Sequence, residues 1–447
     1  MKHLESESLR ALGKALRHLD AGFENLPEFE TYLPRKDAVE TVLLEAAERL
    51  RDNYPYFHPL YAGQMLKPPH PVARAASALA MWINPNNHAL DGGRASSAME
   101  KEAVAQIAGM FGWQDFLGHL TSGGTMANLE ALWVAGRLGS GKTIVASEAA
   151  HYTHERISGV LKLPFESIPA DARGRMDFVA LEQRAARGDI GCVVATLGTT
   201  GTGSVDPLPE ILRLRERFGF RVHVDAAYGG YFTLADGLGN SARASFDRVG
   251  EADSIVIDPH KHGLQPYGCG CVLFRDPGVG ALYRHDSPYT YFSSKGLHLG
   301  EISLECSRAG ASAVALWATQ RLLPLVRGGE FAAGLTASRA AAVEMADRLA
   351  KSPLWVVPFS PELDIVVWAL RAKSAGEASR LSRSIFEKAA AGNLHLALIQ
   401  LPLRYFEDGI YEPDRNDILC LRSVLMKPEH GQWLDEILAR LEAAAAD

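Results

Sequence analysis

The sequence predicts an α/β protein with a mainly parallel central sheet, followed by a smaller C-terminal α/β unit. Three observations lead there. Between about residues 71 and 325, short β-rich runs alternate with helical stretches, the pattern of parallel strands joined by crossover helices. The chemically distinctive residues stand just after those runs, at the edge where an open parallel sheet collects ligands. Beyond Pro324 and Gly328-Gly329 the order changes to helix, two strands, helix, two strands and a last helix.

The elements follow in order. Residues 1–70 hold helical stretches over 4–19 and 38–53, then an aromatic and proline-rich run from Tyr54 to Pro71. That segment has little core of its own and is expected to lie across another surface. The large unit spans 71–325. In it the apolar run Phe116 to Leu120 leads into Thr121-Ser122-Gly123-Gly124-Thr125-Met126-Ala127-Asn128, which opens a periodic helix with Leu129, Leu132 and Trp133 on one side. Ser122, Gly123, Gly124 and Thr125 read as an anion cup: glycines admit the anion to the backbone, hydroxyls donate, and the helix N-terminus adds N–H groups and a favourable dipole. His151 follows the apolar stretch Thr143 to Ala146, where its flat ring could cover a cofactor or serve as a plain structural hydrogen-bonder. The run Ile190 to Val194 ends in Ala195-Thr196-Leu197-Gly198-Thr199-Thr200-Gly201, Arg221 to Val224 ends at Asp225, and Ser254 to Ile257 leads into Asp258-Pro259-His260-Lys261. In the small unit, 326–447, helices are expected over 331–349 and 377–390, and strands over 354–357, 365–369, 394–400 and 418–425. Gly136 to Thr143 satisfies the nucleotide-binding pattern G-x-x-x-x-G-K-[ST], but with a helix before it and a strand after it, the inverse of a P-loop; it reads as a helix C-cap and turn.

Lys261 and Asp225 together look like the two anchors of pyridoxal 5'-phosphate. A lysine amine condenses with the cofactor's aldehyde, and a carboxylate facing the pyridine nitrogen keeps it protonated, so that the ring accepts electrons. That predicts carbanion chemistry on an amino acid.

The segments TSGGTMAN, His151-Tyr152-Thr153, ATLGTTGTG, HVDAAYGG and DSIVIDPHKHGLQPYGCG, in this order, resemble the group II pyridoxal-phosphate-dependent amino acid decarboxylases, over roughly residues 55 to 325. The resemblance implies the aspartate aminotransferase-like fold type I of pyridoxal-phosphate enzymes. It implies that Lys261 holds the cofactor, Asp225 pairs with its nitrogen, His151 stacks on its ring, and Thr200, Ala227 and His260 lie against it. Thr153 and Arg156 stand where the family has serine and lysine, and Met126 where it often has glutamate. A tyrosine on a loop protonates Cα in the family, and Tyr289 or Tyr291 would fall there, with Tyr289 slightly favoured; a phenol is a workable general acid. Tyr61, Gln64 and His88 match segments that build the side-chain pocket, and Arg308 could bind a carboxylate or brace the wall. The expected reaction is decarboxylation of an L-amino acid, an aromatic one such as L-tyrosine first and glutamate or aspartate next. A carbon–carbon lyase of the sphingosine phosphate lyase type is the other possibility, and amine against aldehyde product separates the two.

Composition agrees without discriminating further. The chain has 447 residues, 47% of them hydrophobic and 22% charged, ordinary for a globular enzyme of more than one domain. A net charge of -7 with no long basic block argues against nucleic acid as a partner. Five cysteines without a CxxC pair, a charged N-terminus without an apolar signal core, and the absence of a bilayer-length apolar run lead to the expectation of a cytoplasmic protein with no membrane partner. The resemblance implies a homodimer with shared active sites.

Overall fold

The computed structural model describes residues 2–29, 36–284 and 297–446. The central sheet has seven strands: β1 (Leu117–Thr121), β2 (Thr143–Ser147), β3 (Phe165–Ile168), β4 (Ile190–Thr196), β5 (Arg221–Asp225), β6 (Ser254–Ile257) and β7 (Gly270–Phe274). Their order is β1-β7-β6-β5-β4-β2-β3. Only β7 runs against its neighbours; the rest share one direction, so the expected mainly parallel sheet is found. Parallel strands covered on both faces need continuous apolar runs, and β4, β6 and β7 are buried along their whole length. The register sets Thr196 beside Asp225 and Asp225 beside Val256, which brings the C-terminal ends of β4, β5 and β6 flush. The helix Gly124–Leu138 packs beneath them through Ala127, Ala131 and Val134. It ends at Gly139, and Ser140 and Gly141 turn with φ of 54° and 76° directly into β2, so the P-loop-like letters form a turn.

A second sheet, entirely antiparallel, holds β8 (Trp355–Val356), β9 (Ile365–Leu370), β10 (Ala397–Pro402) and β11 (Asp417–Val424) in the order β10-β11-β9-β8. Helices Glu330–Lys351, Ala375–Ala391 and Leu434–Ala446 cover it around a core that includes Trp355, Trp368 and Met345.

The N-terminal segment divides in two. Its helix Lys2–Ala21 lies along helix Pro71–Met81, while Val42, Leu43 and Leu44 of helix Lys36–Leu50 are exposed. Its end is held within the same chain, because Ala62 donates to the His395 carbonyl (2.9 Å) and accepts from the Val424 amide (2.7 Å). No helix of the described residues is long and apolar enough to cross a membrane.

Candidate active site

The C-terminal ends of β1, β4, β5 and β6 open onto one cavity of about 310 Å³. Ser122, Gly123, Gly124 and Thr125 line it from the start of helix Gly124–Leu138, and Thr200 from the turn after β4. Asp225 and Ala227 follow β5, His260 and Lys261 follow β6, and His151 comes from the loop after β2. All ten residues expected at the cofactor therefore share this cavity, joined by Met126, Asn128, Thr153, Thr196, Tyr228 and Asp258. Two glycines are required by geometry. Gly123 has φ +155°, which L side chains rarely adopt, and a Cβ on Gly124 would lie 2.6 Å from Asp258 Oδ2. That bare backbone lets Asp258 reach Lys261 Nζ at 3.0 Å.

The protonation states are set by neighbours. His151 Nδ1 accepts from the Thr153 amide at 3.2 Å, so the proton of the neutral ring is on Nε2, and burial lowers the pKa of the ring below the usual histidine value. Asp225 Oδ1 accepts from the Ala227 amide at 3.1 Å and Oδ2 receives His154 Nε2 at 2.8 Å. Burial would raise this carboxyl; the His154 hydrogen bond and the Lys261 charge outweigh it and hold Asp225 well below the ordinary range. His223 donates from Nε2 to Asn128 Oδ1 and accepts at Nδ1 from Ser254 Oγ, both at 2.8 Å. Burial drives its pKa down to about 3, so it stays neutral. Thr196 Oγ1 and Asp258 Oδ1 are buried without a hydrogen-bond partner among the described residues, and both residues line the cavity. An amine, an ionised carboxylate and an anion cup around one cavity match the aldehyde, pyridine nitrogen and phosphate of pyridoxal phosphate.

The four residues expected at the substrate side chain do not line this cavity. Tyr61 is buried, its carbonyl taken by Lys427 Nζ (2.6 Å) and its ring edge-on to Tyr56. Gln64 is exposed and accepts from Arg422 Nη1 at 3.1 Å. His88 lies against Gly300, whose amide donates to the His88 carbonyl. Of the two parts open to Arg308, the structure favours bracing a wall: its guanidinium is bound by Glu100 and the Leu120 carbonyl beside a neighbouring cavity of about 260 Å³. A buried guanidinium needs a carboxylate, and Glu100 already supplies it. Tyr289 and Tyr291 lie outside the described residues.

Two groups escaped the sequence reading. Arg422 of β11 donates to the carbonyls of Thr200 (2.7 Å) and Gly201 (2.9 Å) and to Gln64, so the hydrogen bonds of this buried cation go to uncharged acceptors beside a cavity residue. An arginine in the apolar strand Asp417–Val424 was the available signal. The other is His154, three residues after His151 and hence on the same side of the first turn of helix Thr153–Leu161.

Known proteins can be set beside this geometry. A family model described as the pyridoxal-dependent decarboxylase conserved domain matches residues 51–371. An L-tyrosine decarboxylase of Enterococcus faecium is 30% identical over 395 residues, covering 66% of this chain and 65% of that protein, so the chain spans a little under two thirds of that relative. An L-aspartate decarboxylase of Thermococcus kodakarensis is 30% identical over 282 residues, 62% of this chain and 72% of the relative. Among solved structures, Oryza sativa TDC with PLP and tryptamine superposes with a TM-score of 0.77 at 18% identity, covering 98% of each chain. Mouse CSAD gives 0.78 at 20% identity, over 96% of this chain and 92% of that one.

Proposed function

Since the chain belongs to the pyridoxal-dependent decarboxylase family, we propose that it removes carbon dioxide from an L-amino acid, an aromatic one such as L-tyrosine first, to give the corresponding amine. The observation that carries this reading is the convergence of Lys261, Asp225, His151 and the Ser122–Thr125 cup on one cavity. When bound, pyridoxal phosphate supplies the electron sink for the electron pair left at Cα. Lys261 is its attachment point, with Asp258 placed to bind the free ammonium at 3.0 Å. Asp225 would supply a fixed negative charge for the pyridine nitrogen, His151 a flat neutral ring for the cofactor face, and Ser122 and Thr125 hydroxyl donors for the phosphate. Thr200 and His260 border the reacting end. Arg422, held against Thr200, is the cation for the substrate carboxylate, one of the two parts considered for Arg308 on sequence grounds. Either Tyr289 or Tyr291 returns the proton to Cα.

Support for an aromatic side chain comes from the relatives named for L-tyrosine and from the aromatic rim, where Tyr267 stands 4.9 Å from the His260 ring. The acidic alternative is supported by the aspartate enzyme among the relatives. The functional unit in this reading is a homodimer sharing active sites, with residues 1–70 contributing to the partner, a cofactor-binding domain over 71–325 and a small domain over 326–447. Exposed Trp82 and Ile83 next to helix Lys2–Ala21 offer the apolar surface for it. The five free cysteines suit a reducing cytoplasm.

The test is to load the purified protein with pyridoxal phosphate and offer L-tyrosine, L-phenylalanine, L-tryptophan, L-glutamate and L-aspartate separately, measuring carbon dioxide and the organic product. Stoichiometric amine and carbon dioxide from an aromatic substrate is expected. Turnover of L-aspartate or L-glutamate alone would replace the aromatic reading with the acidic one, and aldehyde without carbon dioxide would replace decarboxylation.

A further inference from the structure

Bonded to Asp225, and not among the residues that line the cavity, is a fully buried histidine that none of the expected roles uses. His154 Nε2 is 2.8 Å from Asp225 Oδ2, and the side chains are 1% and 7% exposed. An ionised carboxylate only accepts, so Nε2 carries the proton and donates it. The other ring nitrogen, Nδ1, is buried with no hydrogen-bond partner among the described residues. The His154 ring thus makes its polar contact with the protein through Asp225, at the cost of leaving Nδ1 unsatisfied. A histidine kept in the interior only for packing would be better replaced by an apolar ring, because a buried polar atom without a partner is unfavourable.

The backbone explains how the ring is aimed. The His154 amide donates to the His151 carbonyl at 3.2 Å, while the His151 ring is pinned by the Thr153 amide. The turn that leads into helix Thr153–Leu161 therefore sets two imidazoles three residues apart, His151 lining the cavity and His154 on Asp225. On its other oxygen Asp225 has the Ala227 amide. Two donors from the protein fix the plane of the carboxylate and share its charge, and lone pairs remain for a third partner.

We propose that His154 is a positioning residue for the cofactor: through its hydrogen bond it keeps Asp225 ionised and oriented, and so keeps the pyridine nitrogen of bound pyridoxal phosphate protonated. This rests on the reading of the cavity as a pyridoxal phosphate site. Without the Nε2–H donor, a carboxyl this deeply buried takes up a proton more readily and meets the pyridine nitrogen as a neutral acid. The electron sink is then weaker while the cavity wall facing the substrate is unchanged.

The experiment compares the holoenzyme with His154→Phe, His154→Asn and His154→Gln, each loaded with cofactor labelled with ¹⁵N at the pyridine nitrogen. The phenyl ring fills the space without a donor, the asparagine amide is too short to reach Asp225, and the glutamine amide can reach it. Wild type and His154→Gln should show the ¹⁵N shift of a protonated pyridine at neutral pH, and the Phe and Asn variants a shift toward the unprotonated value. In those two, kcat should fall about 10- to 100-fold, the range expected for loss of one charge-assisted hydrogen bond, with KM within about twofold because no substrate contact is removed. A wild-type ¹⁵N shift in both Phe and Asn variants would overturn the proposal, and should the Phe variant not fold, the Asn variant decides. Failure of the underlying site assignment looks different: wild type itself would then take up no labelled cofactor.

Discussion

At the scale of single residues, the site works because each ionisable group has a neighbour that fixes its state. Gly124 is the sharpest case, since its missing Cβ is what allows the Asp258 carboxylate to approach Lys261. Gly124→Ala should cost about 1–3 kcal/mol of overpacking, read as a roughly 5- to 150-fold weaker binding of pyridoxal phosphate to the apoprotein in a fluorescence titration; unchanged affinity would place Asp258 out of the cofactor's reach. Arg422→Lys keeps the charge but loses the planar fork that grips Thr200, Gly201 and Gln64. It should raise KM for the amino acid about tenfold or more with cofactor affinity unchanged, and an unaltered KM would return the search for the carboxylate-binding cation to other residues. The sequence showed Lys261, Asp225 and the glycine cup because each sits in a short contiguous run beside a predicted strand end. It could not show Arg422, which reaches the cavity residue Thr200 from the other sheet, nor that Arg308 is already held by Glu100. His154 was legible in principle from its spacing to His151, yet its partner Asp225 lies on a different element.

At the scale of elements, the cavity is a consequence of strand register, because the flush ends of β4, β5 and β6 put their loops side by side. Strands β4, β5 and β6 were legible as β-branched apolar runs, whereas β7 was not singled out and nothing local marks its reversed direction; that is imposed by the gap between β1 and β6. His223 ties these layers together, bridging Asn128 in the first turn of the cup helix to Ser254 at the start of β6. In an unfolded chain a histidine titrates near 6.5, while burial holds His223 at about 3 and His430 at about 4. The unfolded state therefore takes up protons first as the pH falls. Stability that is complete above about pH 6.5 is lost below it, roughly 3 kcal/mol through His223 alone by pH 4.5. The thermal midpoint of the apoprotein should drop between pH 7 and 4.5, and drop less in His223→Gln, which cannot titrate; equal drops in both proteins would show that His223 does not couple to folding.

At the scale of the whole molecule, the two sheets are tied together next to Lys261. Tyr228 Oη donates to Asp364 Oδ1 at 2.6 Å, and His262 Nε2 lies 3.2 Å from Asp364 Oδ2, so the residue preceding β9 is tied to the loops on both sides of Lys261. The change of pattern after Pro324 made the second unit readable from sequence, but this tie was not, because Asp364 has no local reason to be acidic. Trp82, Ile83, Leu43 and Leu44 are exposed large apolar side chains, the kind of surface that the proposed partner subunit would cover. Gel filtration should give a dimer, and Trp82→Asp should shift it toward monomer with loss of activity; a fully active wild-type monomer would contradict shared active sites. The most direct measurement for the account as a whole is to reduce the loaded enzyme with borohydride and map the modified peptide. The pyridoxyl phosphate group should be on Lys261. Burial lowers the amines of Lys67 and Lys427 to about 8 and about 7, which makes them the rival nucleophiles, and an adduct on either of them with Lys261 unmodified would contradict the assignment of the cavity.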